Sequence, residues 1–182
     1  MMKELNYKQY LPYLGILPAV GIFLLLKMDE QNAYTLLLRS LLLVFGYVAA
    51  WSDLKEKRVS NRLVLIMLGA WLILLTPQLF YHTEQALMAA LSSALGFLAA
   101  GVLFLLVYFI SKKGLGGGDV KLMAVSGLYL GINGVFPTML WGAILASVTG
   151  LILIAAKKIG KKDTIPLVPF LYIGMLLTVY IQ

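Results

Sequence analysis

The chain carries eight carboxylates in 182 residues, so the groups able to move protons can be taken one at a time. Glu4, Asp29, Glu30, Glu84 and Asp163 fall in polar stretches, where solvation accounts for them. Glu56 stands three residues after Asp53, the D-x-x-E spacing of a capping box at the start of a short interfacial helix. Asp53, in AAWSDLKEKRVSN, and Asp119, in KKGLGGGDVKL, each sit at the edge of a long apolar run. Two carboxylates brought together cannot both ionise readily, so one holds a proton and the other does not. The charged member can then take a proton from water while the neutral one donates to a peptide carbonyl oxygen. That chemistry is amide hydrolysis, and it needs neither metal nor cofactor.

Other catalytic sets find less support. The chain has no cysteine, hence no disulfide, thiolate nucleophile or CxxC zinc site, and His82 is its sole histidine. Serines without a histidine on their side of the membrane argue against a serine triad. Lys121 has the chemistry for a Ser-Lys pair, but a lysine beside a span is expected to be an anchor. A phosphate-binding loop needs Lys after its last glycine, whereas here Asp119 follows Gly118 and would repel phosphate.

Taken singly, either aspartate also suits a helix cap. Capping leaves four glycines unexplained. Gly114, Gly116, Gly117 and Gly118 provide a backbone without side chains ahead of Asp119, open to close approach by another chain. An extended substrate would use that space, and Gly116, Gly117 and Gly118 are therefore expected to support the site.

The elements that must position these residues are apolar. Hydrophobic residues make up 61% of the chain and charged ones 13%, well outside the range of soluble domains. The fold class expected is an all-α polytopic membrane bundle, one transmembrane domain over residues 1–182 with no separate soluble domain. Runs of about 17 or more apolar residues qualify as spans, and seven segments are drawn: 10–26, 33–51, 63–80, 85–110, 120–131, 136–156 and 165–181. The fifth is short and interrupted by Gly127 and Gly131, with Gly134 just beyond it, so a re-entrant half-span is its alternative. The first resembles a signal peptide but lacks an A-x-A cleavage site, and is read as a retained helix. Small residues recur every four positions at Gly142, Ala146 and Gly150, and cluster at Ala90, Ala94, Gly96, Ala99 and Gly101, which predicts close helix packing.

Alternating the seven spans sends Asp53 and Asp119 to the same face, because two complete crossings separate them. Of 15 Lys and Arg residues, only Lys27 falls on the opposite side and Arg39 within a span. By the positive-inside rule the aspartates and the N-terminus are cytoplasmic. The net charge of +7 thus reflects orientation and attraction to lipid headgroups, and nucleic acid is not an expected partner.

Against this background Gly116-x-Gly118-Asp119, followed by Val120, Lys121 and Leu122, resembles the GxGD signature of the type IV prepilin peptidases. Asp53 in DLKEKRVSNRL resembles that family's other catalytic aspartate, and IPLVPFLYIG at 165–174 resembles its I-P-x-x-P-F-x-x-x-G segment. The three motifs spread over 51–174, about two thirds of the chain. Where the family has Pro-Asn this chain has Ser60-Asn61, keeping Asn61 as a site-supporting residue. The resemblance implies an aspartyl endopeptidase of the inner membrane that cuts the basic leader from prepilins or pilin-like proteins. The family's long members carry a cytoplasmic domain with paired CxxC ligands, associated with N-methylation; with no cysteine, a short peptidase-only member without methyltransferase activity is expected. Two alternatives use the same residues. A small transporter or scaffold would bind ions with the aspartates, which then belong near the bilayer midplane. A presenilin-type intramembrane protease shares GxGD but places its first aspartate within a span.

Overall fold

The computed structural model describes residues 15–27, 32–111, 115–158, 160 and 165–182. Among them are six helices: α1 (Ile16–Lys27), α2 (Ala33–Glu56), α3 (Asn61–Tyr81), α4 (Thr83–Ile110), α5 (Gly117–Ala155) and α6 (Val168–Ile181). All-α architecture follows from the chemistry, since in lipid each backbone polar group needs a partner within its own segment. Four helices, α2 to α5, are long and apolar enough to cross a bilayer, and α1 and α6 are shorter apolar helices. This is a multi-pass membrane protein.

The expected fifth and sixth spans form one element. Within α5, Gly131 has φ 64° and ψ 179°, a backbone conformation essentially restricted to glycine. Contacts along α6 show what this break does. Ile165 lies against Gly150 and Leu171 against Gly142. Farther along, Thr138 donates to Thr178 at 2.9 Å and the Gln182 amide donates to the Asn133 carbonyl at 3.3 Å. The arm 132–155 therefore runs antiparallel to α6. Since Asp119 shares a cavity with Ile165, the arm 117–130 starts at that same end, and the chain reverses at Gly131. At 1.5 Å per residue the first arm reaches about 21 Å and the second about 36 Å. The Ser92 hydroxyl accepts the Ile132 N–H at 3.3 Å, meeting one amide freed by the break.

Glycines let the helices touch backbone to backbone. A Cβ on Gly96 of α4 would collide with the carbonyl of Gly127, one on Gly127 with the backbone of Gly96, and one on Gly174 with the Thr138 carbonyl. The predicted small-residue faces are thus the α4–α5 and α5–α6 contacts. Phe23, Leu42, Leu43, Met67, Leu122, Met123, Leu171 and Met175 fill the core between them.

Two boundaries differ from expectation. α2 continues past Trp51 to Glu56, so Asp53 lies in the last turn of that helix rather than at the start of a short interfacial one. The helix stops at Lys57, which takes a left-handed conformation with φ 49° and donates its N–H to the Asp53 carbonyl. Asp119 lies in the first turn of α5, with Gly116 in the N-cap position. The stretch preceding residue 15 and Gly114 lie outside the described residues.

Candidate active site

Asp53 and Asp119 line one cavity of about 670 Å³, together with the end of α2, the loop after it, the end of α4, the glycine segment and the residues leading into α6. Both are buried, at 5% and 8% exposure, which is unusual for carboxylates and requires hydrogen-bond partners. Asp53 Oδ2 accepts the Val168 N–H at 3.1 Å. Asp119 Oδ2 accepts the Gly116 N–H at 3.2 Å. Each carboxylate therefore takes a free amide at a helix N-terminus, where the helix dipole favours negative charge. The two are close enough for their charges to repel. Repulsion within a poorly solvated cavity favours a pair that shares one proton.

The glycines have three different surroundings. A Cβ on Gly118 would stand 3.1 Å from Val59 Cβ, so this glycine admits the α2–α3 loop. A Cβ on Gly116 would stand 3.1 Å from Asp119 Oδ2. A Cβ on Gly117 would meet nothing within 4 Å. The space anticipated for a substrate backbone is thus partly occupied by Val59, and Gly117 is the open position.

Asn61 does not line the cavity. It begins α3, behind the Ser60 cap, and its Oδ1 accepts from Lys121 Nζ at 3.2 Å. Lys121 is accordingly tied across the bundle end.

The sequence reading left several lining residues unassigned: Lys57, Arg58 and Val59 from the α2–α3 loop, Val107, Ser111 and Leu115 around the end of α4, and Ile165, Pro166 and Leu167. Lys57, Arg58, Val59 and Leu115 fall within the stretches quoted for the two aspartates and the last group within IPLVPF, whereas Val107 carried no local signal. Pro166 lies in the non-helical lead-in and Pro169 in the first turn of α6, so the helix starts where Val168 can offer its N–H to Asp53. Ser111 organises its own turn, accepting the Leu115 N–H at 3.3 Å and donating to the Tyr108 carbonyl at 3.2 Å.

Comparison with known proteins places the chain in a family. Residues 40–154, which include both aspartates, match the model of the type IV leader peptidase family. Three curated proteins named prepilin leader peptidase/N-methyltransferase are similar: one from Xanthomonas campestris, 30% identical over 67% of this chain and 42% of its own length; one from Stutzerimonas stutzeri, 32% identical over 74% and 46%; and one from Bacillus subtilis, 25% identical over 71% and 50%. The chain spans about half the length of these relatives. No solved structure gives a significant match. The chain belongs to the type IV leader peptidase family.

Proposed function

We propose that this chain is a membrane aspartyl endopeptidase that removes the basic leader of type IV prepilins or pilin-like proteins, with Asp53 and Asp119 as its catalytic pair. The observation that carries the reading is the convergence of these two buried carboxylates, from separate helices, on one cavity at the end of the bundle. Their position there, away from the bundle's middle, is also what separates this reading from ion transport.

In the proposed reaction a water lies between the carboxylates. The ionised aspartate takes a proton from it, and the water oxygen bonds to the scissile carbonyl carbon. The neutral aspartate gives its proton to the carbonyl oxygen. As the tetrahedral intermediate collapses and the C–N bond breaks, the aspartate that took the water proton passes it to the departing amine, which becomes the new N-terminus, and a hydroxyl of the intermediate returns a proton to the other aspartate. The peptide backbone approaches over Gly117, where no side chain stands in the way. Burial of the carboxylates strengthens each charge interaction in the transition state.

The site faces the cytoplasm in this reading. Lys55, Lys57, Arg58, Arg62 and Lys121 belong to helix ends and loops at the cavity end, and Lys27 ends α1. That asymmetry supports the cytoplasmic assignment in the inner membrane. Peptide cleavage alone is proposed. The relatives' names also include N-methyltransferase, and no residue of this chain is assigned to methyl transfer.

Co-expression with a prepilin tests the reading. The wild type should yield a shorter product with a new N-terminus, identified by mass spectrometry. Asp53→Asn and Asp119→Asn should each lower processing by at least about a hundredfold while the protein remains in the membrane. Full processing by either variant removes the paired-carboxylate mechanism. Because the chain has no native cysteine, Glu56→Cys and Gly117→Cys report topology directly; labelling from opposite faces of the membrane would refute the shared cytoplasmic side.

A further inference from the structure

Among the described residues no hydrogen bond joins Asp53 to Asp119. Asp53 is held by α6 through the Val168 N–H, and Asp119 by Gly116 of its own turn. Neither bond sets the distance between the two carboxylates. That distance depends on how the start of α5 is registered against the end of α2. Beside the cavity, two contacts tie the start of α5 to the α2–α3 loop and the start of α3. Gly118 lies against Val59, an apolar contact that limits approach but allows sliding. Lys121 Nζ donates to Asn61 Oδ1 at 3.2 Å, a directional bond between side chains 60 residues apart.

The path from Asn61 back to Asp53 is short and internally bonded. Ser60 caps α3 by accepting the Arg62 N–H at 3.3 Å. Ser52 Oγ donates to the Arg58 carbonyl at 2.9 Å, folding the loop onto the last turn of α2. Lys57 donates its N–H to the Asp53 carbonyl at 2.8 Å. These bonds connect the start of α3 to the turn that carries Asp53. On the other side, Lys121 follows Asp119 by two residues in the first turns of α5.

We infer that Lys121 is a positioning residue, whose bond to Asn61 registers Asp119 on α5 against Asp53 on α2. The inference rests on the proposed peptidase reading for its kinetic consequence, and on the geometry alone for its structural one. Lys121 and Asn61 are exposed, so their bond contributes little to stability, and its loss acts mainly on alignment. Catalysis by a carboxylate pair is sensitive to alignment, because a misplacement near 1 Å can cost about a hundredfold in rate.

The test uses the full chain in detergent micelles with a purified prepilin. Lys121→Ala and Asn61→Ala should each lower kcat by about tenfold with KM little changed, and the double variant should be no slower than either single one, as for partners in one bond. Lys121→Arg keeps a donor and should recover most of the rate. Additive losses, or an unchanged kcat in Lys121→Ala, would overturn the inference. Hydrogen exchange gives a readout without substrate: Lys121→Ala should raise amide exchange across 57–60 as well as in the first turn of α5. Exchange changes confined to α5 would overturn the brace whatever the kinetics. If the wild type cleaves no prepilin, the peptidase reading fails while the exchange experiment still decides the brace.

Discussion

The Asp53 carboxylate accepts the Val168 N–H at 3.1 Å, bridging 115 residues of sequence. Asp53 stands at the C-terminal end of α2, where that helix's dipole opposes an anion. The N-terminus of α6 supplies a compensating field and a donor in the same place. An aspartate that α2 alone would disfavour is thus made tolerable by the last helix of the chain.

The shared proton sets the pH response of the proposed peptidase. Raising the pH removes that proton, leaves both carboxylates charged and takes away the acid. Lowering it protonates both and takes away the base. Activity should therefore be bell-shaped in pH, with limbs that belong to the pair and not to either residue. Initial rates of prepilin cleavage across pH check this, and a profile that rises monotonically would be incompatible with it.

Gly118 and Gly117 should respond oppositely to a methyl group. Gly118→Ala presses on the Val59 Cβ and backbone N, at a cost of about 1–3 kcal/mol if the loop cannot yield, and Val59→Ala in the same chain keeps both atoms and should not restore thermal stability. Gly117→Ala adds a methyl group to open space and should leave the unfolding temperature unchanged. Unfolding of the three variants in detergent separates the two roles. Equal destabilisation by both single substitutions would contradict the packing described.

At the reversal in α5, Gly131→Ala meets two obstacles, a positive φ of 64° and the Ser92 hydroxyl 2.7 Å from the new Cβ. The expected destabilisation is about 1–3 kcal/mol. Ser92→Ala should relieve the clash but not the backbone strain, so the double variant should recover only part of the loss. Complete recovery would mean that the conformation of Gly131 is not strained for alanine.

Away from the site, the Tyr129 hydroxyl donates to the Met67 carbonyl at 2.5 Å within the core and fastens α5 to α3. Tyr129→Phe should lower stability by about 1 kcal/mol. Because Tyr129 does not line the cavity, prepilin processing at moderate temperature should persist. A loss of processing without a loss of stability would give Tyr129 a part in the site.

Much of the fold can be read along the chain, since in lipid a long apolar run has few options besides a helix. The runs at 33–51, 63–80 and 85–110 became α2, α3 and α4, and the glycine and alanine spacing anticipated the close contacts of Gly96 and Gly142. Helix ends were less legible. The continuation of α2 to Glu56 runs through polar residues that hydropathy assigns to a loop, and it is stabilised by a left-handed turn at Lys57 that no pattern announces. Gly131 was visible as one of several interruptions, but which glycine reverses the chain depends on Ser92 and α6 lying where they do.

The site divides in the same way. Composition and the span count singled out Asp53 and Asp119 and sent them to a common face, because the parity of crossings is a property of the chain alone. Their partners depend on three-dimensional packing: Val168 from the far end of the sequence, Val59 in the space beside Gly118, and Lys121 bonded to Asn61. Contacts between groups so distant along the chain leave no periodicity or spacing behind, and only the packed bundle determines them.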